Sequence, residues 1–191
     1  MTTATLAALR PVGGDNGRTW HVDPARSTLE FRVDRLWSLV TVQGRFERFQ
    51  GDVGLTADGR WQFQLAIESG SVNTYARCRD AYLRSPMFLD AARHPVVRFT
   101  STDVVNLGKG RLRVRGWLET ARRCILVDFD AEVRADDGEI AVEATLAADQ
   151  QAAETGSSTV AARRAAPSLI ASLRLSERVA VNTPATASRF A

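Results

Sequence analysis

Cysteine is nearly absent from this 191-residue chain: Cys78 and Cys124 are too few and too irregularly placed for a disulfide framework or a metal site. Neither has a CxxC partner, and they read as unpaired thiols, since a bridge would need their Cα atoms within about 7 Å. Lysine is scarcer still, with Lys109 alone against 24 arginines. Those arginines are spread along the chain among acids, leaving a net charge of +3 and no clustered basic run with interleaved aromatics. A nucleic-acid partner is therefore not expected. Histidine is limited to His21 and His94, each flanked by strand residues, and no GxSxG, HExxH, P-loop or GxGxxG pattern occurs. This leaves no candidate catalytic residue and no metal set. No stretch approaches the roughly 18 apolar residues that span a bilayer, so no transmembrane segment is expected. Residues 1–18 lack the charged start and apolar core of a secretory signal, and the expectation is a soluble, cytoplasmic protein.

What is present is ordinary for a globular chain, 45% hydrophobic and 25% charged residues. One domain over 19–181 is long enough to close a core without disulfides, between a flexible leader over 1–18 and a loose tail over 182–191. Nearly all of it is written in period-two alternation. After a turn at Asp23-Pro24, Leu29, Phe31 and Val33 oppose Glu30, Arg32 and Asp34. Glycines at 44, 51 and 54 among apolar residues mark bends or close backbone approach. Past Asp58-Gly59, Trp61, Phe63, Leu65 and Ile67 oppose Gln62, Gln64, Ala66 and Glu68. Leu112 and Val114 oppose Arg111, Arg113 and Arg115, and Ile125, Val127, Phe129, Ala131 and Val133 oppose Asp128, Asp130 and Glu132. Residues 147–166, rich in Ala, Gln, Ser and Thr, read first as a long loop, with a short helix or disorder as the other choices; the last strand falls within 169–181.

The alternation stops once, between Ser69 and Pro95. There Asn73 or Thr74 can cap a short helix with Cys78, Tyr82 and Leu83 on its apolar face and Arg77, Arg79, Asp80 and Arg84 elsewhere; Pro86 ends it before Met87, Phe88 and Leu89. About eight strands with glycines at their bends have an economical solution in a closed antiparallel barrel, which removes exposed edges. On periodicity alone a β-sandwich is the runner-up. The inward set is apolar and reads as core, with Ala131, Ala144 and Gly116 leaving some room inside.

Four segments resemble the YceI-like family, one of them the run from Arg111 to Phe129 with its strand-glycine-x-leucine turn. Ser71-Val72-Asn73-Thr74 with the Arg79-Asp80 pair, Leu83, and a strand led by Pro95 and ending Phe99-x-Ser101 is a second. Trp20-x-Val22-Asp23-Pro24 followed by Ser27 and Phe31 is a third, and Gly44, Phe46, Phe49 and Gly51 a fourth. Arg122 and Arg123 stand where the family often has a small turn residue, and its arginine-x-aspartate-phenylalanine-glycine segment is missing from the C-terminal third. The resemblance implies an all-β, eight-stranded lipocalin-like barrel with a short helical insert, holding a long isoprenoid chain of the polyprenyl quinone kind as ligand rather than cofactor.

Under that resemblance the expected lining is Phe31, Val33, Phe63, Leu65, Ile67, Phe88, Phe99, Leu112, Val114, Val127 and Phe129. Arg77, Arg79 and Arg84 are candidates for a polar head group at a mouth rimmed by the insert. The expected function is non-catalytic binding, sequestration or transport of the lipid; the alternative is a filled barrel serving as an interaction or stress-response domain. A homodimer is left open.

Overall fold

The computed structural model describes residues 18–36, 40–136, 139–147 and 167–177, with residues 33–36, 40–41, 136, 147 and most of 167–177 described through their backbone. The expected tail, residues 1–17 of the leader and the stretch over 148–166 lie outside the described residues. Arg18, expected in the leader, opens the first strand. The strands are β1 (Arg18–Val22), β2 (Thr28–Leu36), β3 (Val40–Phe46), β4 (Phe49–Leu55), β5 (Trp61–Glu68), β6 (Val72–Asn73), β7 (Val96–Gly108), β8 (Arg111–Glu119), β9 (Cys124–Asp136), β10 (Glu139–Ala147) and β11 (Pro167–Glu177). Among the described residues one α-helix, α1 (Arg77–Arg84), lies in the insert, after a single 3-10 turn at Ser69–Ser71.

All strands belong to one antiparallel sheet, in the order β1, β4, β5, β7, β8, β9, β10, β11, β2, β3, β6. A further pairing of β1 with β11, from Trp20↔Glu177 to Val22↔Leu175, closes β1, β4, β5 and β7 to β11 into a ring. The expectation is about eight strands; the described residues form eleven. As expected, the Asp23-Pro24 turn, where Asp23 accepts the Ala25 N–H at 3.0 Å, separates β1 from β2. Glu47 and Arg48 break the glycine-bearing run into β3 and β4, and Val72–Asn73 of the insert adds the short strand β6. Both β1 and β2 pair with β11: Leu175 to Glu177 with β1, Pro167 to Ser172 with β2. Beyond this point β2, β3 and β6 leave the ring as an extension.

The core divides the same way. The larger cluster fills the ring and includes Trp20, Phe63, Leu65, Phe99, Val114, Val127 and Leu175. The smaller joins Phe31, Val42, Val72 and Leu83, with Tyr82, Phe88 and Leu89 packed on it, so α1 lies on the β2–β3–β6 extension. Gly44 makes this close approach possible: a Cβ there would sit 2.6 Å from the Phe31 ring and 2.8 Å from the Asn73 carbonyl oxygen.

Two expectations for the helix are corrected. Cys78 is exposed rather than packed, and Asp80 is buried. The reason is that the Asp80 carboxylate reaches back to accept the Thr74 N–H at 2.8 Å and the Thr74 hydroxyl at 2.5 Å. This turns the face shared by Asp80 and Leu83, three residues apart, toward the sheet. The helix starts after Ala76, with no side-chain cap, rather than at Asn73 or Thr74. On β5, Ala66 faces away from the ring interior yet is fully buried between its register partners Gln50 and Arg98. Both cysteines are free thiols.

Candidate functional site

Period-two alternation on eight closed strands sends every second side chain inward. These inward residues leave an apolar cavity of about 70 Å³. Phe63, Leu65 and Ile67 of β5 form one wall, joined by Phe99, Val114, Leu118 and Phe129. Ala131, Val142, Ala144, Leu146 and Leu173 form the opposite wall, and Val22 and Val53 complete it. Gln64 is the one lining residue with a polar side chain. A space this size exceeds what one water needs, but water enters only where two to four polar partners wait, and this wall offers few.

Two small residues make the room. Ala131 and Ala144 stand directly opposite each other on β9 and β10 and both line the cavity. Gly116 plays a different part from the one expected of it. The Phe99 ring occupies its place, so that a Cβ on Gly116 would lie 2.7 Å from Phe99 Cε2 and closer still to the Thr100 carbonyl oxygen. Phe99 then meets Phe129 at 5.5 Å between ring centroids. Toward the β4–β5 turn the interior is closed by an aromatic tier, Trp20 stacked on Trp61 at 5.8 Å and Trp61 on Phe63 at 6.4 Å.

Of the expected lining, Phe63, Leu65, Ile67, Phe99, Val114 and Phe129 come together around the cavity. Leu112 and Val127 are buried in the same cluster without lining it. Phe31 and Phe88 belong to the smaller cluster beside α1. Val33 lies on β2 opposite Val42 and Pro167, and its side chain is outside the described residues. Val22, Val53, Leu118, Val142, Leu146 and Leu173 were not singled out from sequence, although each continues an alternation that could have found it.

The head-group candidates do not line the cavity. Arg79 donates through Nε to the Thr74 hydroxyl oxygen at 2.8 Å and through Nη2 to the Thr74 carbonyl at 2.6 Å. Arg84 donates to the Val72 carbonyl at 2.7 Å. These two pin the chain around β6. Arg77 is exposed and has no side-chain partner among the described residues.

Shifted ionisable groups sit on the outside of the barrel. Arg48 donates through Nε and Nη2 to the two Glu68 oxygens, each at 2.6 Å, and these bonds hold the Glu68 carboxyl below its ordinary value. Arg113 acts likewise on Asp130. His21 Nδ1 donates to Asp52 at 2.5 Å across β1 and β4, and His94 is exposed. Among the described residues no group of His, Cys, Asp and Glu is arranged to hold a metal, and the lining carries no acid or base.

A closed antiparallel barrel with an apolar interior and a helical insert belongs to the class of barrels able to enclose a hydrophobic ligand. The chain belongs to the YceI-like domain family, whose model it matches over residues 20–172. A UPF0312 protein of Shewanella denitrificans is 34% identical over 96 residues, 48% of this chain and 49% of its own length. One of Vibrio campbellii is 30% identical over 121 residues, 60% and 62% of the two lengths. In its match to the Shewanella protein, the chain spans about half the length of that curated relative. Among solved structures, BcnA of Burkholderia cenocepacia superposes with a TM-score of 0.64 at 17% identity, covering 81% of this chain and 98% of that one. A polyisoprenoid binding domain from Saccharophagus degradans, implicated in plant cell wall breakdown, gives 0.60 at 20% identity, covering 83% and 98%. At these identities the likeness establishes the fold.

Proposed function

We propose that the protein binds a long isoprenoid lipid of the polyprenyl quinone kind inside the ring, without catalysis, and so sequesters or carries it. The observation that carries this reading is the apolar cavity itself, held open by Ala131 facing Ala144. The polyisoprenoid-binding structural neighbour supports it. The alternative, a filled barrel acting as an interaction domain, is disfavoured by the same space: a core packed to ordinary density closes voids of this size.

Each buried CH₂ contributes about 0.8 kcal/mol, so one five-carbon unit yields roughly 4 kcal/mol before costs. Association itself costs about 4–15 kcal/mol, so several units are needed for useful affinity. A tail of that length exceeds the resting cavity, so this reading requires the lining side chains to move apart as it enters. The test is mass spectrometry of an organic extract of the purified protein, with an unrelated protein purified alongside, followed by uptake of added polyprenyl quinone. A stoichiometric long-chain lipid is expected. A clean extract with no uptake moves the assignment to the filled barrel.

A further inference from the structure

The two most exposed large apolar side chains among the described residues both lie in the insert: Tyr75 at 76% and Met87 at 71%. They flank α1, one before its first residue and one after its last. The outward face of that helix presents Arg77, Cys78, Ala81 and Arg84. Tyr75 is held with φ of 62°, a conformation that bulky residues rarely adopt, and its N–H is fixed by the Asn73 side chain at 2.8 Å.

Positive charge collects around these tips. Arg45 lies over the Tyr75 ring at 5.5 Å, with Glu47 3.6 Å from its guanidinium as a local counter-charge. Arg122 donates to the Pro86 carbonyl, one residue from Met87, which ties the 120–123 turn to the insert. Residues 69–95 and 120–123 together hold six arginines against two aspartates, a net +4 where the whole chain carries +3. Arg77, Arg93 and Arg123 are exposed, and their side chains have no partner among the described residues.

We propose that this end of the protein docks on an anionic lipid surface. Tyr75 and Met87 enter the headgroup layer, where an aromatic with a polar tip and a flexible thioether are both at home. Arg77, Arg93 and Arg123 meet the lipid phosphates. The proposal adds a membrane partner to the lipid-binding reading, rests on it only for its purpose, and is tested without any ligand in the cavity.

The test is flotation of the full chain with vesicles of phosphatidylcholine alone and of phosphatidylcholine mixed with phosphatidylglycerol. Binding is expected on the anionic vesicles only, falling as salt rises. The triple variant R77Q/R93Q/R123Q should lower partitioning about a hundredfold, roughly fivefold per arginine, with uptake of polyprenyl quinone unchanged. Tyr75→Asn with Met87→Gln should weaken binding at fixed charge without lowering the melting temperature, because asparagine tolerates positive φ. No flotation, equal flotation with neutral vesicles, or full binding by the triple variant overturns the proposal. Vesicle binding by a protein that yields no extracted lipid would sink the cavity reading and leave this one standing.

Discussion

Replacing Ala131 with leucine should make the lipid-free protein more stable and the lipid-bound protein less so. Ala131 is 2% exposed, lines the cavity, and faces a second alanine across the β9–β10 pair. Empty space in a core costs about 24 cal/mol per Å³. For a cavity of about 70 Å³ the cost is about 1.7 kcal/mol. The leucine places three further carbons in that space, so most of the cost is recovered. The expected gain is about 1–2 kcal/mol, read as a rise of about 2–8 °C in Tm for a domain of this size.

The lipid reverses the ranking. At a hundredfold excess over Kd, a ligand that binds only the folded state adds about 2.7 kcal/mol, and the variant, with the resting space filled, should bind it too weakly to gain that much. Thermal melts of delipidated native protein and variant, each with and without polyprenyl quinone, give the four values needed. Ala144→Leu, entering from the opposite strand, should behave alike. Had the walls no slack, the added carbons would overpack the core and cost about 1–3 kcal/mol. A variant that is destabilised when empty and still stabilised by the lipid would show that the ligand does not occupy this space.

Three further outcomes follow from single contacts. Gly116→Ala should cost about 1–3 kcal/mol in denaturant melts, because its Cβ would press on the Thr100 carbonyl and the Phe99 ring; a neutral result would mean that Phe99 can leave its place freely. Asp80→Ala strips the acceptor from the Thr74 N–H and hydroxyl and should cost about 1–3 kcal/mol, visible as faster amide exchange at Thr74 while the ring strands stay protected. Glu68, whose carboxyl is depressed by Arg48, adds stability that is fully present above the unfolded-state value near 4.5 and disappears as pH falls through the lower folded value. Against native protein, Glu68→Gln should therefore lose under about 1 kcal/mol at neutral pH and nothing once both states are protonated. A stability difference that stays constant with pH would remove the ion pair from the account.

Much of the ring was legible because alternation is a local signal. On β8, Leu112, Val114 and Gly116 are buried while Arg111, Arg113 and Arg115 stay outside, as the period of two requires. The outward arginines meet Asp128 and Asp130 of β9 in a ladder of ion pairs. What alternation does not carry is which inward side chain touches empty space. Leu112 and Val114 read alike, yet Val114 lines the cavity and Leu112 does not. That distinction depends on how the closed ring sets side chains against one another across its interior, which a local period does not report. The helix face was misread for a related reason: the carboxylate of Asp80 is a polar group buried by its own hydrogen bonds, which a hydrophobic pattern assigns to solvent.

The division of the core explains why the arginines of the insert do not meet the cavity. Sequence places the insert between β5 and β7, both ring strands, which suggests a lid over the mouth. Instead Leu83 packs with Phe31, Val42 and Val72, on the extension that leaves the ring at β11. Among the described residues Phe46 alone is packed on both clusters, with its ring 5.4 Å from that of Phe31. The ring interior thus offers apolar volume, while the insert is pinned to its own small core by Arg79, Arg84 and Asp80, with Tyr75 and Met87 exposed on either side of α1.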